Sequence, residues 1–75
     1  MNIEQQVISI LNTEIGIDWI APETEIGDLE LSDWDWKSIL GVLEEAFEIF
    51  IPEEKVKEFT IIKNLIDFIG EEIVE

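Results

Sequence analysis

The chain has no cysteine, no histidine and no arginine, and its only cations are the 4 lysines at positions 37, 55, 57 and 63. Without Cys there is no disulfide and no thiol nucleophile. Without Cys and His together, the usual zinc ligand sets and a Ser–His couple have no members. Stability must then come from packing amphipathic elements against one another, because neither a metal nor a disulfide can staple the chain. No apolar run approaches the roughly 20 residues that cross a bilayer. The first residues also lack the basic-then-apolar order of an export signal. Both features, with the missing Cys, lead us to expect a non-exported, cytoplasmic protein. A chain of 75 residues is expected to form one domain, residues 1–75. So small a domain has little interior for a ligand pocket of about 300 Å³, and independent enzyme activity is not expected.

What is abundant is acid: 19 Asp and Glu against those lysines, for a formal net charge of -15. Everything before Lys37 is acidic or neutral. Such a field repels nucleic acid and anionic lipid and speeds docking onto basic patches of proteins. The expected partner is therefore a basic protein surface, with no nucleic acid and no membrane, met by a monomer. The charge also serves solubility, and on its own it does not separate the two roles.

Apolar residues Ile3, Val7, Ile10, Leu11 and Ile15 recur at steps of three and four, which predicts an amphipathic first helix with Asn2 as its N-cap and Gly16 as its C-cap. From Gly16 to Ser32 the periodicity fails around Pro22, Thr24 and Gly27. The loop is nonetheless rich in apolar side chains, so it is expected to be strapped to the core. A second helix is expected from Ser32 or Asp33 to about Glu48, with an inward stripe of Ile39, Leu40, Leu43, Ala46 and Phe47 and a wet face of Glu44, Glu45 and Glu48. Gly41 inside that helix hints at a close approach by another segment. A short helix is expected from Pro52 or Glu53 to Glu58, and a last one from about Ile61 to Val74 with Thr60 as N-cap. The fold class is an all-α four-helix bundle with three longer helices, one short one and a long loop between the first two.

Three segments carry a resemblance. They are Asp28-Leu29-Glu30-Leu31-Ser32-Asp33-Trp34-Asp35, then Leu43-Glu44-Glu45-Ala46-Phe47, then Ile51-Pro52-Glu53-Glu54 with Phe59-Thr60 and Leu65-Ile66-Asp67-Phe68-Ile69 following without gaps. Together they resemble the acyl carrier proteins over nearly the whole chain. No single motif is unique to that family; the agreement of the spacings carries the likeness. The resemblance implies the helix order just described and a place in fatty-acid, polyketide or related assembly chemistry. It also implies a serine that carries 4'-phosphopantetheine at the start of the second helix, within an Asp-Ser-Leu triplet. Here the aligned triplet reads Ser32-Asp33-Trp34. Counting forward from Asp28-Leu29 or backward from Leu43-Glu44-Glu45 puts Asp33 at the attachment position.

Asp33 cannot form the phosphodiester, because attachment needs a hydroxyl nucleophile presented at a helix start. Its carboxylate either mimics part of a bound phosphate or simply caps the helix, and no group is carried there in either case. No cofactor is therefore expected. The alternative is a working carrier with 4'-phosphopantetheine on Ser32, whose hydroxyl sits about 3.5 Å along the chain from the aligned position. Ser38, inside the helix, is a poorer attachment point. By the same resemblance, partner enzymes would grip the second helix at Trp34, Lys37 and Gly41, flanked by Glu44, Glu45 and Glu53. A Trp for the usual Leu, a Lys amid acids and a Gly for a larger apolar residue depart from the family's pattern there and point to a different partner set, or to none of the usual enzymes. Trp34 and Trp36 lie about 200° apart on a helix, so they do not share one buried stripe. Either one of them is exposed as an interface anchor, or Trp19, Trp34 and Trp36 all cover the core from the loop side.

Asp28, Glu30 and Ser32 alternate like the start of a calcium loop, but Asp33 and Ile39 stand where that motif needs Gly and Glu. Glu44 and Glu48 are read as solvated charge rather than an acid–base pair. The leading expectation is a degenerate carrier that works by docking. A reading from another class, a small acidic inhibitor or immunity-type protein that blocks a basic target, rests on charge and size alone.

Overall fold

The computed structural model describes residues 2–73. Four α-helices, α1 (Ile3–Ile15), α2 (Asp33–Phe47), α3 (Glu53–Val56) and α4 (Ile62–Ile73), follow one another, with a 3-10 turn at Ile26–Leu29 in the long first connection. The order long, long, short, long is the expected one. The predicted end of the last helix at Val74 lies outside the described residues. Among the described residues no helix is long and apolar enough to cross a membrane.

α1 begins and ends where its sequence says. Asn2 Oδ1 accepts the Gln5 N–H at 3.2 Å, and Gly16 takes the left-handed conformation at φ 85 while its N–H donates to Asn12 O. A glycine suits that position because it has no Cβ to clash at positive φ. α1 packs on both α2 and α4. Val7 and Leu11 of α1, Leu43 of α2, and Ile62, Leu65 and Ile69 of α4 are fully enclosed. Each such side chain contributes about 1.5–3 kcal/mol through removal from water.

The long connection is strapped down, as its apolar content predicts. Ile20 is buried and Ile17, Ile26, Leu29 and Leu31 pack against the core. Main-chain bonds then tie the strap to the start of α4: Ile26 N–H donates to Thr60 O, Ile62 N–H to Thr24 O and Lys63 N–H to Pro22 O, at 2.9, 2.9 and 2.7 Å. The last two of these bonds occupy the Ile62 and Lys63 amide hydrogens in the first turn of α4, which a helix cannot satisfy internally. They also explain why Thr60 is not the cap that its sequence position suggests. α4 starts at Ile62, and Asn64 reaches back so that its Oδ1 accepts the Thr60 and Ile61 N–H groups at 2.9 and 3.1 Å.

Other boundaries and faces differ from expectation. α2 ends at Phe47, and Glu48 stands beyond it as a left-handed C-cap at φ 55. α3 has only 4 residues, with Pro52 as its N-cap rather than inside its first turn. Lys57 and Glu58 form a tighter turn in which Glu58 N–H donates to Lys55 O. Ala46 is exposed rather than part of the inward stripe. It lines an open surface recess with Asn2 and with Gln5, Gln6, Ser9 and Ile10 of α1, which leave it uncovered. Gly41 accommodates no close neighbour, since a Cβ built there would meet nothing within 4 Å.

Candidate functional site

The start of α2 follows from Ser32. Its backbone is extended at φ -73 and ψ 162, and its Oγ accepts the Asp35 N–H at 3.1 Å. A Ser side chain in that conformation satisfies an orphan amide of the first turn. Asp33 is therefore the first helical residue, not the N-cap, which corrects the expectation that its carboxylate caps the helix. Asp33 and Asp35 complement the positive end of the helix dipole. Ser32, Asp33 and Ser38 are all exposed.

A hydroxyl that faces solvent at a helix N-cap fits the chemistry of an attached phosphopantetheine, whereas the carboxylate of Asp33 does not. The fit at Ser32 has one qualification in geometry: its oxygen already holds the first turn of the helix.

The tryptophans separate. Trp34 is 79% exposed and Trp19 56%, whereas Trp36 is partly buried against the core. The arrangement in which all three cover the core is thus excluded, and Trp34 is the one that faces outward from α2.

Trp36 opens onto a groove of about 550 Å³ between α2 and α3. Its apolar lining comes from Trp36, Leu40, Phe50, Ile51 and Val56. The sequence suggests too little interior for a pocket of that size. The groove satisfies the limit by lying at the surface, where two helices and the segment that joins them diverge. Phe50 lines it while remaining 71% exposed. The local sequence carries a signal for that exposure: Ile49 and Ile51 both pack inward, and in extended chain the residue between two inward ones points out.

Charged side chains also line the groove, and three of them are already committed. Lys37 Nζ lies 3.5 Å from Glu53 Oε1, an exposed pair that links α2 to the start of α3. Glu44 does not lie on the wet face. It is half-buried, and its Oε2 accepts the Ile51 N–H at 2.7 Å, a charge-assisted bond across seven residues. The side chain turns inward because Ile51 is buried and its amide hydrogen, outside any helix, needs an acceptor.

The structure thus brings Asp33, Lys37, Glu44 and Glu53 to one groove. Trp34 and Glu45 are exposed nearby on α2, and Gly41 is half-buried there. Among the groove residues that the sequence did not single out, Phe50 and Lys57 matter most. Lys57 gives no local signal, since only the tight turn after α3 carries it to the groove.

No protein-family model matches the sequence.

Proposed function

We propose that this chain is an acyl-carrier-like domain of fatty-acid or polyketide-type metabolism that acts by docking to partner enzymes and does not carry an acyl group. The observation that carries the reading is the start of α2. The residue aligned with the attachment serine is Asp33, an exposed carboxylate in the first turn, within a helix order that matches the one implied by the resemblance. Further support comes from the surface beside it. An apolar groove, an outward Trp34 and a field set by a net charge of -15 suit a basic protein patch with a hydrophobic anchor.

The test is mass spectrometry of the intact protein after incubation with coenzyme A and a broad-specificity phosphopantetheinyl transferase. The native chain is expected to keep its mass, and Asp33→Ser is expected to gain one arm. Native protein that gains an arm, and loses that gain in Ser32→Ala, would overturn the reading in favour of a working carrier. That second reading has a specific observation behind it, the exposed N-cap hydroxyl of Ser32. A pull-down adds the partner class: a condensing or ligating enzyme supports docking, and a nuclease or toxin points instead to the acidic inhibitor.

A further inference from the structure

The charges around the α2–α3 groove are not uniform. In a chain with 4 lysines and 19 acids, two of the lysines, Lys37 and Lys57, line this one groove. Lys37 is paired with Glu53, and the Glu44 carboxylate is occupied by the Ile51 N–H. That leaves Asp33 and Lys57 as the groove charges with neither an ion-pair nor a side-chain hydrogen-bond partner among the described residues. Lys57 is exposed, just past the end of α3, next to Val56 of the apolar lining.

Resting on the docking reading, we infer that Lys57 selects among basic partners, and that the groove takes a protein segment that combines an apolar anchor with a carboxylate placed against Lys57. Long-range attraction to this chain favours any basic surface. A uniformly basic segment that enters the groove sets like charge against Lys57, whereas a segment with an acid at that point gains an ion pair. Specificity of this kind comes from what the site repels as much as from what it attracts. The anchor has a place prepared for it, since the exposed Phe50 and the half-buried Trp36 both offer aromatic surface along the groove.

The experiment uses amphipathic helical peptides of about 18 residues, with a leucine face and lysines elsewhere. In the panel, one flanking lysine at a time is replaced by Glu or, as its neutral twin, by Gln. Each peptide is titrated into the isotope-labelled full chain while the amide signals of Phe50, Ile51, Val56 and Lys57 are followed by NMR. At one Glu position the peptide is expected to bind about threefold more tightly than its Gln twin, the size of an exposed ion pair. Lys57→Gln should erase that preference and Lys57→Glu reverse it. Lys55→Glu makes the same change in net charge on a different surface, beside Phe59 and Asn64, and should leave the preference intact. If the groove amides shift but no Glu position is preferred, or if Lys55→Glu erases the preference as fully as Lys57→Glu, the inference is overturned and the docking reading stands. If no peptide moves the groove amides, both fail together.

Discussion

Removing the side chain of Glu44 strands the main-chain N–H of Ile51, a buried residue that gains its acceptor only from that carboxylate. An unsatisfied buried donor costs about 1–3 kcal/mol. Glu44→Ala is therefore expected to lower the unfolding free energy by about that amount in a urea titration, and Glu44→Gln, which keeps a carbonyl acceptor, by clearly less. No loss in Glu44→Ala would show that the bond contributes little, and equal losses in the two variants would show that a neutral carbonyl does not replace the carboxylate. The neighbouring Glu45 is exposed and provides the control, since its truncation should fall within about 0.5 kcal/mol of the native value. A helical wheel places Glu44 among the polar residues of α2, and the resemblance implies for it the role of a docking acid. Its real partner lies seven residues downstream and meets it only because the chain turns back after Phe47.

Within α2, a glycine and a glutamate occupy places better suited to other residues. Gly41 stands in the middle of the helix with open space where a Cβ would be, at a cost of about 0.5–1 kcal/mol relative to Ala. Glu48 stands just past its end at φ 55. The left-handed conformation there costs a non-glycine residue about 1 kcal/mol, and a carboxylate meets the negative end of the helix dipole. The double variant Gly41→Ala, Glu48→Gly is expected to gain about 1–2 kcal/mol in thermal or urea unfolding. A loss of stability would mean that α2 is held by contacts that the two changes disturb. The existence of the long helices and most of their buried faces were legible because three- and four-residue apolar spacing needs no tertiary information, whereas the exposure of Ala46 and the inward turn of Glu44 were not. The short α3 was less legible. Its limits depend on Pro52 acting as cap and on the tight turn at Lys57 and Glu58, and neither feature leaves a periodic trace.

Taken whole, the molecule is compact, with a Cα radius of gyration of 11.3 Å, close to that expected for a folded chain of this length. It achieves this with a net charge of -15 and with only two ion pairs, Lys37–Glu53 and Lys63–Asp67, among its described residues. Both pairs are exposed and worth little. Self-repulsion among the remaining acids is thus a destabilising term that salt should screen. Raising the ionic strength from about 0.01 M to about 0.5 M is expected to increase Tm by several degrees. A gain of about 1 kcal/mol corresponds to roughly 4–8 °C for a domain of this size. A flat or falling Tm over that range would show that the acids are spaced widely enough not to oppose folding. The same salt series should weaken capture of any basic partner, because screening acts on both.

The apolar spacing of α1, α2 and α4, the cap residues Asn2 and Gly16, and the apolar content of the loop were sufficient to specify a helical bundle with a strapped connection. These signals act over a few residues, within the reach of a single helical turn or a short run of chain. The position of Asp33 relative to the flanking segments was likewise visible in order and spacing alone. The groove, the inward turn of Glu44, the pairing of Lys37 with Glu53 and the arrival of Lys57 at the groove required the folded chain. Each joins residues from different elements, and such contacts form only once α2 and α3 have packed and the segment between them has found acceptors for its amides.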